Sequence, residues 1–173
     1  MIYFNGFSLQ DEQGFFADFI DESDFCVCGF SYGAIKAFEF TLKNLKDGKR
    51  VDKLQLFSPA FFHGADERFV KLQLLGYKKG SSSYIEQFIT NSFLPYKKSD
   101  IVLGYSDEEQ LRELLEYRWS EDELKFLLRS GVVLEVYIGG EDHIIDVQKA
   151  MEFFLTFASL TYIKKANHFL EVK

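Results

Sequence analysis

Short apolar segments alternate with longer amphipathic segments along most of this chain. Short apolar runs bounded by turn residues are typical of buried strands, and apolar residues at three- and four-residue spacing are typical of helices. Regular alternation of the two predicts a parallel sheet whose strands are joined by crossover helices. We therefore expect an α/β fold, with residues 1–173 forming one domain.

The predicted elements follow each other in a simple order. Five segments are predicted to be strands: Ile2–Phe4, Phe25–Cys28, Lys53–Phe57, Val132–Ile138 and Leu160–Ile163. Helical patterns lie between them: Asp11–Ile20, Tyr32–Leu45, Asp107–Arg129 as one or two helices, and Val147–Phe157. The expected core is a compact sheet of about five mostly parallel strands.

One interval, residues 61–105, breaks this rhythm. It is too long for an ordinary loop and is punctuated by glycines, three consecutive serines and a proline. It follows the third predicted strand, and ligands of open α/β sheets bind outside the carboxyl ends of the strands. We therefore interpret the interval as a small helical lid that roofs a site.

The composition argues against several classes of protein. The net charge is −7, whereas a general nucleic-acid binder needs a basic surface. No apolar run approaches the roughly 18 residues of a membrane span, and the N-terminus lacks the basic region of a signal peptide. We expect a cytoplasmic protein that binds neither nucleic acid nor membrane.

Two cysteines, Cys26 and Cys28, lie in one predicted strand with a single residue between them. Their side chains point to the same side of the strand, where a disulfide would distort the backbone. A metal site would need a further pair of Cys or His ligands at suitable spacing, and the sequence has none. We expect two buried free thiols and no metal ion.

The sharpest local motif is the segment Gly29–Gly33, with Ser31 at its centre. It has the form G-x-S-x-G, between a predicted strand and a predicted helix, which is typical of a nucleophilic serine held on a tight turn. The alternative is a glycine-rich turn whose serine only caps the helix.

An activated serine needs a base and an acid that orients the base. His168 follows the last predicted strand, and Asp142 follows the fourth, which is the chain order serine, acid, histidine. The alternatives are that His168 is a surface residue and that Asp142 caps the next helix, although Asp146 is the better capping candidate.

An ester-cleaving serine also needs two N–H groups that bind the oxyanion. One candidate is the backbone N–H of Tyr32, directly after the serine. The other is that of Phe7, in the loop after the first strand, where Gly6 permits close approach. The alternative for this loop is an ordinary tight turn.

These motifs together resemble the α/β-hydrolase superfamily, and the short chain as a whole looks like the BioV-type pimeloyl-ACP methyl ester esterases. The resemblance is carried by Phe4–Phe7, Gly29–Gly33, Gly139–Asp142 and Asn167–Phe169. It implies a serine carboxylesterase without a cofactor, which cleaves the methyl ester of a pimeloyl chain on acyl carrier protein during biotin synthesis. The alternatives are a thioesterase, a general acyl esterase, or a hydrolase-like binding protein without catalytic activity.

The resemblance also implies an acidic partner, since acyl carrier proteins are acidic. Residues 61–100 form the one long stretch with an excess of positive charge, six basic residues against four acidic ones. The residues expected to bind the carrier are Arg68, Lys71, Lys78, Lys79, Lys97 and Lys98. The alternative is a set of solvated side chains with no partner.

Coverage of the sheet raises a question about assembly. Strands that add in sequence order place their crossover helices on one face, yet parallel sheets are normally covered on both. Either the predicted helix Asp11–Ile20, with Phe15, Phe16 and Phe19, crosses to the second face, or another copy of the chain covers it in a homo-oligomer.

Overall fold

The computed structural model describes residues 1–172. Its elements, in chain order, are β1 (Ile2–Phe4), β2 (Leu9–Gln10), a 3-10 helix (Glu12–Phe16), β3 (Cys26–Phe30), α1 (Tyr32–Lys46), β4 (Lys53–Phe57), α2 (Glu67–Lys79), α3 (Ser81–Phe93), β5 (Val102–Leu103), α4 (Glu108–Glu116), α5 (Glu121–Arg129), β6 (Val133–Gly139), α6 (Val147–Phe154) and β7 (Ser159–Ile163).

The main sheet has five strands in the order β1-β3-β4-β6-β7, and every neighbouring pair is parallel. Val27 lies opposite Leu54, and Leu54 lies opposite Leu134, so side chains of one face line up across the strands. This confirms the predicted α/β fold with a five-stranded sheet. A second, two-stranded antiparallel sheet of β2 and β5 was not predicted from the sequence.

One face of the main sheet is covered by α-helices, and we call it the helical face. Its core joins Ile35 and Phe38 of α1 and Phe154 of α6 to strand residues such as Leu54 and Val136. Each of these helices follows a strand and packs its apolar stripe back on the sheet, as the 3.6-residue period predicts.

The opposite face is covered by phenylalanines, and we call it the aromatic face. Phe16 of the 3-10 helix stacks on Phe57 of β4 at 4.7 Å between ring centroids, and lies 4.9 Å from Phe30 of β3. Phe93 at the end of α3 stacks on Phe169 at 4.3 Å. The segment after β1 therefore crosses to the second face, which is the first of the two alternatives for covering the sheet.

The prediction of a long helix over Asp11–Ile20 is wrong. Only Glu12–Phe16 is helical, as a 3-10 helix, and it begins after Asp11 in a left-handed conformation with φ of 61°. Gly14 weakens any helix at this position. The tighter 3-10 helix instead places Phe16 against the sheet, where its ring is fully buried.

Between β4 and α4 lie two consecutive helices, α2 and α3, which pack against each other and are followed by β5. The Phe7 ring, in the loop after β1, contacts Tyr77 of α2 and Phe88 of α3. These contacts place the helix pair over the carboxyl ends of the strands. Within residues 1–172, none of the helices combines the length and hydropathy that a membrane crossing requires.

Candidate active site

Ser31 stands on a sharp turn between β3 and α1. Its backbone has φ of 53° and ψ of −112°, a strained conformation for a residue other than glycine. The turn is held from both sides, because the Ser31 N–H donates to Phe57 O at 2.9 Å and its carbonyl accepts from Ala60 N at 3.1 Å. The hydroxyl makes no cap bond to α1, so the alternative of a capping serine does not describe this turn.

Steric crowding explains why both outer positions of the motif are glycine. A Cβ on Gly33 would lie 2.0 Å from Phe4 O, and one on Gly29 would lie 2.2 Å from Gly33 O. Real atoms do not approach so closely, so only glycine lets β3, α1 and the end of β1 meet at this turn.

His168 connects the serine to the acid. Its Nε2 lies 3.0 Å from Ser31 Oγ, and its Nδ1 lies 2.6 Å from Asp142 Oδ2. Both distances are hydrogen-bond distances. A proton on Nδ1 donated to the carboxylate leaves Nε2 free to accept the serine hydroxyl. All three side chains are buried, with Ser31 2% exposed and His168 1% exposed.

Asp142 is held by the turn that carries it. Its Oδ1 accepts the N–H of Ile144 at 2.7 Å, while Oδ2 faces the histidine. Asp146 has the other role considered from the sequence, because it caps α6 by accepting Lys149 N at 3.1 Å. Asp142 therefore lies against His168, whereas Asp146 lies at the N-terminus of α6.

The loop that carries His168 is fastened to the end of α3. The buried Asn167 amide donates through Nδ2 to Phe93 O, and its Oδ1 accepts Glu171 N, both at 3.1 Å. Tyr96 also donates its hydroxyl to Lys165 O. Asn167 stood in the motif that carried the resemblance, but nothing in the sequence indicated that its partner lies in α3.

The candidate oxyanion donors are the backbone N–H groups of Phe7 and Tyr32. Within residues 1–172, neither the Phe7 N–H nor the Tyr32 N–H has a hydrogen-bond acceptor. The Phe7 loop is pressed against the serine turn, since a Cβ on Gly6 would lie 2.8 Å from the Phe30 ring. Two free amides next to the nucleophile are what an oxyanion site requires.

The side chain of Tyr32 is anchored on α4. Its hydroxyl donates to Glu113 Oε2 at 2.5 Å, and Lys36 binds the other oxygen of the same carboxylate. Burial, together with this hydrogen bond to an acid, raises the pKa of Tyr32, which stays protonated as the donor. The contact joins α4 to the turn that bears the nucleophile.

A cavity of about 230 Å³ adjoins the site. It lies between α2, α3, α4 and the Asp142 turn, and its apolar walls include Phe62, Phe69, Tyr84, Phe88, Leu111 and Ile144. Phe88 contacts the Phe7 ring, and Ile144 donates its N–H to Asp142, so two residues that line the cavity contact residues of the candidate site. The polar side chains of Gln73, Asn91 and His143 also line it, so its walls combine apolar and polar groups.

The other histidines and the cysteines lie outside this arrangement. His63 stacks on Phe61 at 4.2 Å and accepts Trp119 N–H at 2.8 Å, and His143 is exposed at the cavity rim. Cys26 and Cys28 are buried free thiols with their sulfurs 3.6 Å apart. In the described part of the chain, no cluster of three or more His, Cys, Asp or Glu residues is arranged to hold a metal ion.

The six basic residues singled out from the sequence are all exposed, but they do not form one group. Arg68, Lys71, Lys78 and Lys79 lie on α2, with spacings that put them on one side of the helix. Lys97 and Lys98 lie beyond the end of α3 instead. Their separation is a consequence of the helical hairpin, which the charge count along the sequence did not show.

Comparison with solved structures identifies the fold. The structure superposes on a bromoperoxidase from Bacillus anthracis with a TM-score of 0.63 and 13% identity, covering 83% of this chain and 60% of that one. For BioG from Haemophilus influenzae the TM-score is 0.61 at 10% identity, with 98% and 88% covered. For naproxen esterase from Bacillus subtilis it is 0.53 at 18% identity, with 84% and 53% covered.

The chain thus spans about half the length of the naproxen esterase. No protein-family model matches the sequence, and no curated protein is similar to it at a significant level. The strand order, the serine turn after β3 and these structural matches together show that the chain has the α/β-hydrolase fold.

Proposed function

We propose that this protein is a serine hydrolase that cleaves carboxylic esters. The observation that carries the proposal is the continuous hydrogen-bonded relay from Ser31 through His168 to Asp142. In the proposed reaction, Ser31 Oγ attacks the ester carbonyl while His168 Nε2 takes its proton. The histidine then returns the proton to the leaving alcohol, and water, activated in the same way, releases the acid.

The remaining residues have supporting roles in this proposal. Asp142 keeps the proton of the neutral imidazole on Nδ1 and stabilises the imidazolium that forms. The backbone amides of Phe7 and Tyr32 bind the negative oxygen of the tetrahedral intermediate. The helix pair α2–α3 acts as the lid over the site. No step requires a metal or cofactor.

For the substrate, we propose a methyl ester on a pimeloyl chain carried by acyl carrier protein, as in biotin synthesis. The sequence resemblance to BioV-type esterases suggests it, and a cavity of about 230 Å³ next to the relay has room for a chain of that length.

For the carrier, we propose docking on the outer side of α2. This side combines four basic residues with two exposed leucines, Leu72 at 57% and Leu75 at 53% exposure. Lys71 and Lys78 are engaged with Glu67 and Glu108 at the surface, and such exposed pairs exchange partners at little cost. An acidic, partly apolar protein surface would complement this side.

The proposed partner is tested by charge reversal on α2. Lys71→Glu, Lys78→Glu and Lys79→Glu in combination should raise KM for the carrier-linked methyl ester several-fold, while a small free methyl ester is hydrolysed as before. Added salt should mimic the effect in wild type, because salt screens exposed charges.

The matched control is Lys97→Glu with Lys98→Glu, which reverses charge beyond α3 and should leave KM nearly unchanged. Equal effects of the two sets, or slower hydrolysis of both esters, would remove α2 as the docking surface. A preference for the corresponding carrier thioester over the methyl ester would make the protein a thioesterase instead.

A further inference from the structure

Glu12 is a buried carboxylate that the proposed relay does not use. It is the first residue of the 3-10 helix, and it is 1% exposed. Its Oε1 accepts the backbone N–H of Gly6 at 2.7 Å and lies 3.3 Å from the Tyr3 hydroxyl. Its Oε2 is buried without any hydrogen-bond partner among the described residues.

Burial of such a carboxylate lowers the stability of the folded protein. A carboxylate buried without a basic partner loses its hydration, and a buried acceptor without a donor adds to the loss. No Lys or Arg of residues 1–172 forms an ion pair with Glu12, and burial raises its pKa above the ordinary value. An apolar residue would fill the same place at lower cost, so the contact with Gly6 is the feature to explain.

The Gly6 amide belongs to the loop that presents Phe7. Glu12 accepts the Gly6 N–H, and the next amide along the chain, that of Phe7, has no acceptor among the described residues. The loop also contains a residue with positive φ, Ser8 at 59°, so its conformation is not the one that the backbone would adopt unaided.

The loop is held from its other side by the segment after the lid helices. Gly104 N donates to Ser8 O at 2.9 Å, and the Ser8 hydroxyl lies 2.6 Å from that of Ser106. These bonds fix the far end of the loop, at Ser8. Glu12 is the contact that fixes its near end, directly before the candidate donor.

We propose that Glu12 is a positioning residue, which holds Gly6 so that the Phe7 amide faces the oxyanion formed at Ser31. This inference rests on the proposed esterase function. The role requires an acceptor atom at the position of Oε1, and it does not require a negative charge. A neutral acceptor of the same length should therefore serve, and a shorter carboxylate should not.

The test compares Glu12→Gln with Glu12→Asp. Glutamine keeps an oxygen at the same reach, whereas aspartate keeps the charge but is one methylene too short for the Gly6 amide. On a small soluble ester, the Gln variant should keep kcat within about threefold of wild type. The Asp variant should lose about tenfold to a hundredfold in kcat with KM nearly unchanged, since losing one oxyanion donor altogether costs about a hundredfold or more.

A second readout separates positioning from general damage. A trifluoromethyl ketone forms a tetrahedral adduct with a reactive serine, and its oxygen occupies the oxyanion position. Its affinity should fall in the Asp variant by the same factor as kcat/KM, and it should be kept in the Gln variant. Circular dichroism verifies that each variant is folded, and Glu12→Leu, which has no acceptor, replaces the Asp variant if that one unfolds.

The inference is overturned if the folded Asp or Leu variant keeps wild-type kcat and ketone affinity, or if the Gln variant is impaired as much as the Asp variant. Failure of the proposed function looks different, because wild type itself would then neither cleave esters nor bind the ketone.

Discussion

The two faces of the sheet are built in different ways. The helical face buries side chains of α1 and α6, and each of these helices directly follows in the chain a strand that it packs against. The aromatic face joins Phe16, Phe93 and Phe169, which come from three distant parts of the sequence. The loops that bear His168 and the candidate oxyanion donor Phe7 are also fastened on this second side, through Phe93 and Glu12.

The difference separates stability from the geometry of the site. On the helical face, local apolar periodicity specifies each helix. Loss of the packing of such a helix on the sheet would lower the free energy of unfolding. On the aromatic face, packing between distant residues also sets where the histidine stands. Substitutions of similar size on the two faces should therefore differ in their effect on catalysis more than in their effect on stability.

The largest effect on kcat is expected for substitutions in the hydrogen-bonded relay itself. Ser31→Ala and His168→Ala should each reduce kcat by at least about 10⁴-fold, because members of a relay act as a unit. The matched control is Ser58→Ala, a buried serine that follows the neighbouring strand and whose hydroxyl has no partner in the described chain. Steady-state hydrolysis of a small ester measures all three. Activity within tenfold of wild type in either relay variant would contradict the assignment.

The two aspartates provide the next comparison. Asp142→Asn should reduce kcat by orders of magnitude, because the imidazole loses the acceptor that fixes its tautomer. Asp146→Asn removes one charge from a helix cap and should cost at most about 1 kcal/mol of stability with kcat unchanged. Kinetics and thermal denaturation of both variants decide the assignment, and the reverse ranking would mean that the wrong carboxylate has been chosen.

The faces themselves are compared by truncating one fully buried residue on each. Phe93→Ala on the aromatic face should cost about 3–5 kcal/mol, and Leu54→Ala on the helical face about 2–5 kcal/mol. Only the Phe93 variant should also lose kcat per folded molecule, because the Phe169 ring next to His168 stacks on Phe93. Denaturant unfolding with active-site titration measures both quantities. Equal kcat in the two variants would show that the faces do not differ in this way.

The smallest effect concerns His63, which packs beside Phe61 and Trp119 of the helical face. Burial, together with Arg118, lowers the pKa of His63, so the folded protein binds a proton less readily than the unfolded chain. Its contribution to stability is complete above about pH 6.5 and is lost as the pH falls through the lower folded pKa.

We expect this loss to be less than about 1 kcal/mol, because the group is only half-buried and solvent screens its charge. Urea unfolding at pH 7 and pH 5 measures it as the difference between wild type and His63→Gln, a subtraction that removes the contributions of other groups such as Glu12. A steeper decline in the variant than in wild type would give the opposite sign and refute the argument.

The sequence predicted the parts of this molecule that local patterns determine. The five parallel strands and the α1 crossover follow from apolar periodicity, and the loops of Ser31, Asp142 and His168 all follow strand ends, which in a parallel sheet share one edge. The structure brings these three side chains into one hydrogen-bonded relay.

The remaining features depend on contacts between residues far apart in the sequence. The 3-10 helix, which replaces the predicted longer helix, allows the Phe16 ring to stack on that of Phe57. No local sequence pattern specifies this contact. Glu12 resembles an ordinary acidic residue in a first helical turn, so nothing in the sequence indicates that it is buried against Gly6. The β2–β5 pairing has two residues on each side, too few for any period to show.

The central claim is that Ser31 is an activated nucleophile, and covalent labelling tests it most directly. Folded wild-type protein is incubated with a fluorophosphonate probe beside the His168→Ala variant, and the adduct is located by peptide mass mapping. We expect one adduct, on Ser31, and expect it to form far more slowly in the variant. Folded wild-type protein that forms no adduct, or forms one on another serine, would contradict it.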